Sequence, residues 1–405
     1  MRRFLAKRTT PLSEHHQPNS VSGRFAQIAP WLSDSPIAFD CLPHEDDYWR
    51  AFTESVSRQR LAGLVLAHAD SSGTDVPSAV RAALRDSAAR VAAENLHMMH
   101  ELGCILHAFN RRGLSVMLLK GAALNLTIYQ HADLRPMSDV DLLVRPCDAQ
   151  RALRLLHELG CTRGSCLIRD DFFPKYHYEV EFFIPSARPV RIDLHARPLR
   201  PLRLARIVPD DAFWEGAREV RVGSTKTQIP RAEFGFIHLA AHAAYHGCSR
   251  LIWLYDIKRF TDAFAEKMDW ALVTARCRQW RLSLAVREAI AHTEAIFGSI
   301  CPRAVTAELA GHCATWRDRL TLRHAPRDSS SPISHVVCNL LCTPGVLFRL
   351  GYLAALLLPG RNHLAELYKR RHPGWLLCAH AWRIVRGLWR ALAAPFVKFA
   401  AAPAR

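Results

Sequence analysis

The chain has 405 residues, 49% of them hydrophobic, and a formal net charge of +17. That length holds two or three packed units with a sizeable core, and the basic surplus draws polyanions (nucleotides, nucleic acid or an anionic membrane surface) without choosing among them. Its twelve cysteines stand singly with no C-x-x-C pair, which argues against a zinc ribbon or a disulfide framework and for reduced thiols in a cytoplasm.

Residues 1–45 are rich in Ser, Pro and charge, and no apolar stretch follows the basic start MRRFLAKR. They read as a poorly ordered basic lead-in and not as an export signal. Residues 46–112 read as an N-terminal helical region. Pro77 sits where a first helical turn tolerates it, an Ala-, Leu- and Arg-rich run with 3.6-residue spacing continues to Arg112, and Gly113 stands at its end.

Residues 113–200 carry the densest pattern. An apolar strand over Val116–Leu119 meets a turn at Lys120-Gly121, and a helix follows over Ala122–Tyr129. A polar loop with Arg135 and Ser138 leads into a second strand that opens Asp139-Val140-Asp141. A helix is expected over Asp148–Leu159, ended by Gly160, and strands over Tyr178–Ile184 and Val190–Leu194. Residues 201–330 read as a helical domain. Residues 331–405 form a basic, apolar C-terminal helical region. Its run Val346–Leu358 is too short, and is broken by Arg349, for a membrane span. The Trp- and Arg-rich stretch Trp375–Phe399 reads most plainly as a helix packed on the rest of the protein. Peripheral contact with a membrane is the sharper reading, to which the basic run Lys369-Arg370-Arg371 could add.

Side chains alternate along a strand, so Asp139 and Asp141 point the same way while Val140 turns to the core. Two carboxylates this close repel unless a cation lies between them, and oxygen ligands suit Mg²⁺ or Mn²⁺. On the later strand, Val190, Ile192 and Leu194 share one face; Arg191, Asp193 and His195 share the other. Three carboxylates from neighbouring strands can hold two divalent ions around a triphosphate. Asp193 is the candidate base or ligand nearest an attacking hydroxyl. Lys120 and Arg135 are candidates to neutralise the leaving pyrophosphate, and the Gly121 backbone to approach phosphate oxygens.

The segments Leu118-Leu119-Lys120-Gly121-Ala122-Ala123-Leu124, Arg135-(x₃)-Asp139-x-Asp141-Leu142-Leu143-Val144 and Ile192-Asp193-Leu194-His195 resemble the uncharacterised bacterial nucleotidyltransferase family of the DNA-polymerase-β-like superfamily. The resemblance covers roughly residues 95–300 and takes in Leu251-Ile252-Trp253-Leu254-Tyr255-Asp256. It implies an α+β fold: a small mixed β-sheet core flanked by helices, with a helical partner domain. It also implies Mg²⁺-dependent (or Mn²⁺-dependent) transfer of an NMP from an NTP, ATP being the expected donor, to an acceptor that is a small molecule, a peptide or a protein. The superfamily usually has Gly-Ser at the first turn; here Gly121-Ala122 stands there, and Lys120 is expected to take over phosphate contact.

The expected set is therefore Asp139, Asp141 and Asp193 as catalytic residues and metal ligands, with Lys120, Gly121, Arg135 and Ser138 at the nucleotide. Blander roles compete with each: a solvated strand face for the aspartates, a salt bridge of Asp193 with Arg191 or Arg197, a local backbone bond for Ser138. His238, His242 and His246 recur every fourth residue, but packing against the sheet explains them better than zinc. The rival function is an inactive nucleotide-binding or scaffolding module. Nucleic acid ranks below both, because no RNA-binding motif accompanies the charge.

Overall fold

A computed structural model describes residues 25–33, 46–164, 172–324, 332–360, 363–364, 378, 381–382 and 385–386. Most of the basic lead-in, and the stretches 369–371 and 375–399 apart from scattered positions, lie outside the described residues.

Seven strands form one mixed sheet: β1 (Met117–Leu118), β2 (Val140–Leu143), β3 (Thr162–Arg163), β4 (Glu179–Ile184), β5 (Val190–His195), β6 (Arg218–Val222) and β7 (Thr225–Ile229). Their order is β3-β4-β5-β2-β1-β7-β6. β2 runs parallel to β5 and antiparallel to β1, and β4 runs antiparallel to β5. Before the sheet come α1 (Asp46–Gln59), α2 (Ala62–Ser72) and the long α3 (Ser78–Arg111). α4 (Lys120–Thr127) follows β1, and α5 (Ala149–Glu158) follows β2. A bundle comes after β7: α6 (Ala232–Tyr245), α7 (Leu251–Phe264), α8 (Trp270–Gln279), α9 (Ser283–Phe297), α10 (Arg303–Gly311) and α11 (Trp316–Arg323). Last among the described helices are α12 (Pro332–Cys342) and α13 (Val346–Leu357).

The two faces of the sheet differ, and the strand sequences say why. Val140, Leu142, Val180, Phe182, Val190, Ile192 and Leu194 point to one face and pack with Leu102, Ile105, Leu106 and Phe109 of α3 and Leu153 and Leu156 of α5. On the opposite face, Met117, Leu119 and Leu143 join a second core with α1, α2 and the bundle. Beside them that face turns polar, because positions 141, 193, 195, 179 and 181 carry Asp, Asp, His, Glu and Glu.

Two expectations need correction. Residues 25–33 are not a loose lead-in: Ile28 and Trp31 are fully buried, Trp31 meeting Trp49 edge-on and packing at a tilt against Phe52. Large apolar side chains so close to the first amphipathic helix gain more from burial than they lose in order. The region 201–330 is not all helical either. Its β6–β7 hairpin extends the core sheet through β7, which pairs in parallel with β1. Polar alternation hid these strands, although Gly223-Ser224 between Val222 and Thr225 is a two-residue hairpin turn, with Gly223 at φ 58°.

Candidate active site

The polar face of the sheet is built by register. Asp141 lies beside Asp193 across the parallel β2–β5 pair, Glu181 beside Asp193 and Glu179 beside His195 across β4–β5. Neighbouring strands are about 4.8 Å apart, so these side chains share one surface. Asp139, two residues before Asp141, opens onto it.

Each of these carboxylates except Asp139 has a basic partner. Lys120 Nζ donates to Asp141 Oδ1 at 2.5 Å, and His195 Nε2 donates to the same oxygen at 2.8 Å. Asp141 is 2% exposed. Burial pushes its carboxyl up, but the Lys120 charge and the His195 hydrogen bond outweigh burial and hold it well below the usual range. The other ring nitrogen of His195, Nδ1, is 3.5 Å from Glu179 Oε2. Glu179 is paired with Arg200, whose charge overrides burial and lowers the carboxyl to about 2. Arg191 grips both oxygens of Asp193, at 3.0 and 2.9 Å, and reaches Glu181 at 2.9 Å. Burial still leaves the Asp193 carboxyl raised, with Glu179 and Asp141 adding to the rise.

Among the described residues, Asp139 makes no side-chain hydrogen bond or ion pair. Burial first, and then the charge of Asp141, raise its pKa, only partly offset by Lys120, Arg191 and Arg135. It is the one acid of the cluster whose charge is left uncompensated by direct contact.

Lys120 takes a left-handed backbone at φ 43°, uncommon for a residue with a side chain. That bend turns the chain from β1 into α4 and aims the ammonium at Asp141. Gly121 therefore does not make the turn; it is helical, and its lack of a side chain serves another purpose. A Cβ there would lie 2.2 Å from Arg135 Nη1.

Arg135 departs from its expected place at phosphates. It is 8% exposed and donates to Asp256 Oδ2 at 2.9 Å, with Tyr129 hydroxyl donating to Asp256 Oδ1 at 2.8 Å. A guanidinium held this way ties the loop before β2 to α7 and is not available to a triphosphate. Ser138 is exposed and makes no side-chain hydrogen bond among the described residues.

Sequence reasoning missed several contributors. Asn95 of α3 clamps the Arg135 loop, donating to the carbonyls of Ala132 and Arg135 and accepting from Met137 N. Glu179 and Arg200 complete the ion network; the alternation Glu179-Val180-Glu181-Phe182 was the signal for the first. The α6 histidines close the far wall. With Lys120, His195 and Arg200, His238, His242 and His246 line a cavity of about 20 Å³, room for one water. His238 Nε2 donates to the Pro198 carbonyl at 2.8 Å. Burial, helped by Lys120, pushes His238 down to about 3 and His242 well below its usual value.

Whether the acids suit a divalent cation can be judged from their partners. Among the described residues, no group of three or more His, Cys, Asp or Glu is arranged to hold a metal ion, and Lys120 and Arg191 already cover oxygens of Asp141 and Asp193. The unpartnered Asp139 beside Asp141 nevertheless offers oxygen donors whose mutual repulsion a hard cation relieves. The donor chemistry fits at that pair. Asp193 can join it only when Arg191 lets go.

The model of a family described as uncharacterised nucleotidyltransferase matches residues 45–298, more than half of the chain. No curated protein matches. Among solved structures, an antigenic nucleotidyltransferase-like protein from Paracoccidioides brasiliensis aligns over 52% of this chain and 96% of its own, at 14% identity and a TM-score of 0.31.

Proposed function

Since the chain belongs to the uncharacterised nucleotidyltransferase family, we propose that it moves an NMP from an NTP, with ATP as donor, to a hydroxyl or phosphate of a small molecule, peptide or protein. The observation that carries this reading is the gathering of Asp139, Asp141 and Asp193 on one sheet face with Lys120 beside them.

In the reaction, an acceptor oxygen forms a bond to the α-phosphorus and the bond from that phosphorus to the pyrophosphate oxygen breaks. Lys120 leaves Asp141 for the β- and γ-phosphates, where its charge balances the departing pyrophosphate. Arg191 makes the parallel exchange, moving from Asp193 to phosphate. Asp193, freed and with its pKa raised, takes the proton of an acceptor hydroxyl. His195 holds Asp141 in place from behind. Mg²⁺ or Mn²⁺, bound through Asp139 and Asp141 with Asp193 as third ligand, would supply Lewis-acid neutralisation of the triphosphate.

The test supplies [α-³²P]ATP, Mg²⁺ and a fractionated cell extract. Label is expected to pass to an acceptor with the native protein, and to be lost by two to three orders of magnitude, about the effect of removing one charge-stabilising group, with Asp141→Asn. Equal labelling by both proteins overturns the proposal. Absence of binding heat from Mg²⁺-ATP in calorimetry does the same and favours the scaffolding role.

A further inference from the structure

Helix α13 is apolar on both sides, and among the described residues only one side is buried. Tyr352 and Ala355 are buried against Phe172, Tyr176, Leu202 and Ala205, with Phe348 and Leu356 packed beside them. On the other side Val346, Leu347, Leu350, Leu353, Leu357 and Leu358 are exposed, Leu347 by 84% and Leu350 by 56%. Val337 and Leu341 of the adjoining α12 are exposed at 46% each. A helix apolar all round belongs in an interior, and a continuous exposed patch of this kind marks a binding surface.

The charge of the C-terminal sequence says what covers the patch. From Pro332 to the end of the chain Glu366 is the single acid, against ten lysines and arginines. Further on, Cys378, Trp382 and Val385, at helical spacing, are exposed along with Arg386. A sequence rich in leucine and tryptophan, with arginine and lysine far in excess of acids, is the composition of an element lying in the headgroup layer of an anionic bilayer. A second protein copy fits less well, since two segments of such strongly basic sequence repel each other. No helix among the described residues is long and apolar enough to cross a membrane.

We propose that the exposed face of α12–α13 docks the protein on an anionic membrane surface. The docked element sits next to the candidate site. Tyr176, over which α13 packs, is two residues ahead of Tyr178, a wall residue of the His195 cavity.

The test is flotation of the full chain with vesicles of phosphatidylcholine alone or with about one third phosphatidylglycerol, in low and high salt. Flotation is expected with the anionic vesicles, reduced at high salt as surface attraction is screened. L347E/L350E is expected to lower the bound fraction at least tenfold. L347N/L350N, which adds no charge, should give a clear loss too, and circular dichroism identifies any variant that has failed to fold. Equal flotation by native and folded variant proteins overturns the proposal, as does an absence of flotation. Concentration-dependent self-association of the native chain, abolished by L347N/L350N with no change in flotation, assigns the face to a second copy instead.

Discussion

At Asp139 the demands of stability and of chemistry oppose each other. Its carboxylate is crowded by burial and by Asp141, and no cation touches it. The folded pKa lies above the unfolded one, so its contribution to stability is present below the unfolded value and is lost as pH rises through the folded value. Once ionised, Asp139 therefore costs stability. Asp139→Asn is expected to raise the Tm of the metal-free protein at pH 7, to leave it unchanged near pH 3, and to lower labelled transfer by about 10²-fold or more. Thermal scans in EDTA at both pH values, beside the labelling assay, check this. A lowered Tm at pH 7 would show that Asp139 makes stabilising contacts instead. Asp141, by contrast, sits between Lys120 and His195 and is favourable as a charge. Two aspartates one residue apart thus hold opposite positions. The sequence gives no hint of the difference, because their partners come from other elements.

Between elements, the decisive contact is Arg135 with Asp256, which joins the loop before β2 to α7. Removing one member of such a buried pair leaves the other charge uncompensated, at a cost of about 3–5 kcal/mol. Arg135→Gln is accordingly expected to destabilise by that order in urea unfolding, while Mg²⁺-ATP affinity, measured at a temperature where the variant is folded, stays within about twofold, a change worth less than half of the 1.4 kcal/mol that separates tenfold steps. A residue acting on phosphate would show the reverse. Gly121→Ala presses on the same guanidinium and should destabilise in the same direction by about 1–3 kcal/mol. Most of these elements were legible from periodicity: α3, α5, β4 and β5 lie within a residue or two of their expected bounds. The β6–β7 hairpin was not, because its residues are half-exposed and its reason for being a strand is the free edge of β1.

Over the whole molecule, many buried ionisable groups share one direction of shift. His238 is lowered to about 3 and His242 well below normal, while Glu179 is lowered to about 2 and Asp141 well below normal. In each case the unfolded chain takes up protons at a higher pH than the folded one, so stability is fully present above the unfolded pKa and falls as pH drops through the interval. For the histidines that interval opens near pH 6.5, and for the carboxylates near pH 4. The Tm is therefore expected to begin falling just below pH 6.5, not only at pH 4. His238→Gln, whose amide can still donate to the Pro198 carbonyl, should flatten the first part of that fall. A profile unchanged by the substitution would remove His238 from the account. The sequence by itself determined what lies within a single element: the helices, the central strands, and the alternation that sets Asp139, Asp141 and Asp193 on polar faces, because the periods of helix and strand are local properties of the chain. Only the tertiary structure decided which charge meets which. Arg135 binds Asp256 instead of phosphate, Lys120 holds Asp141, and Arg200 steadies Glu179 behind His195, since such pairings follow from strand register and helix packing between residues far apart in the chain.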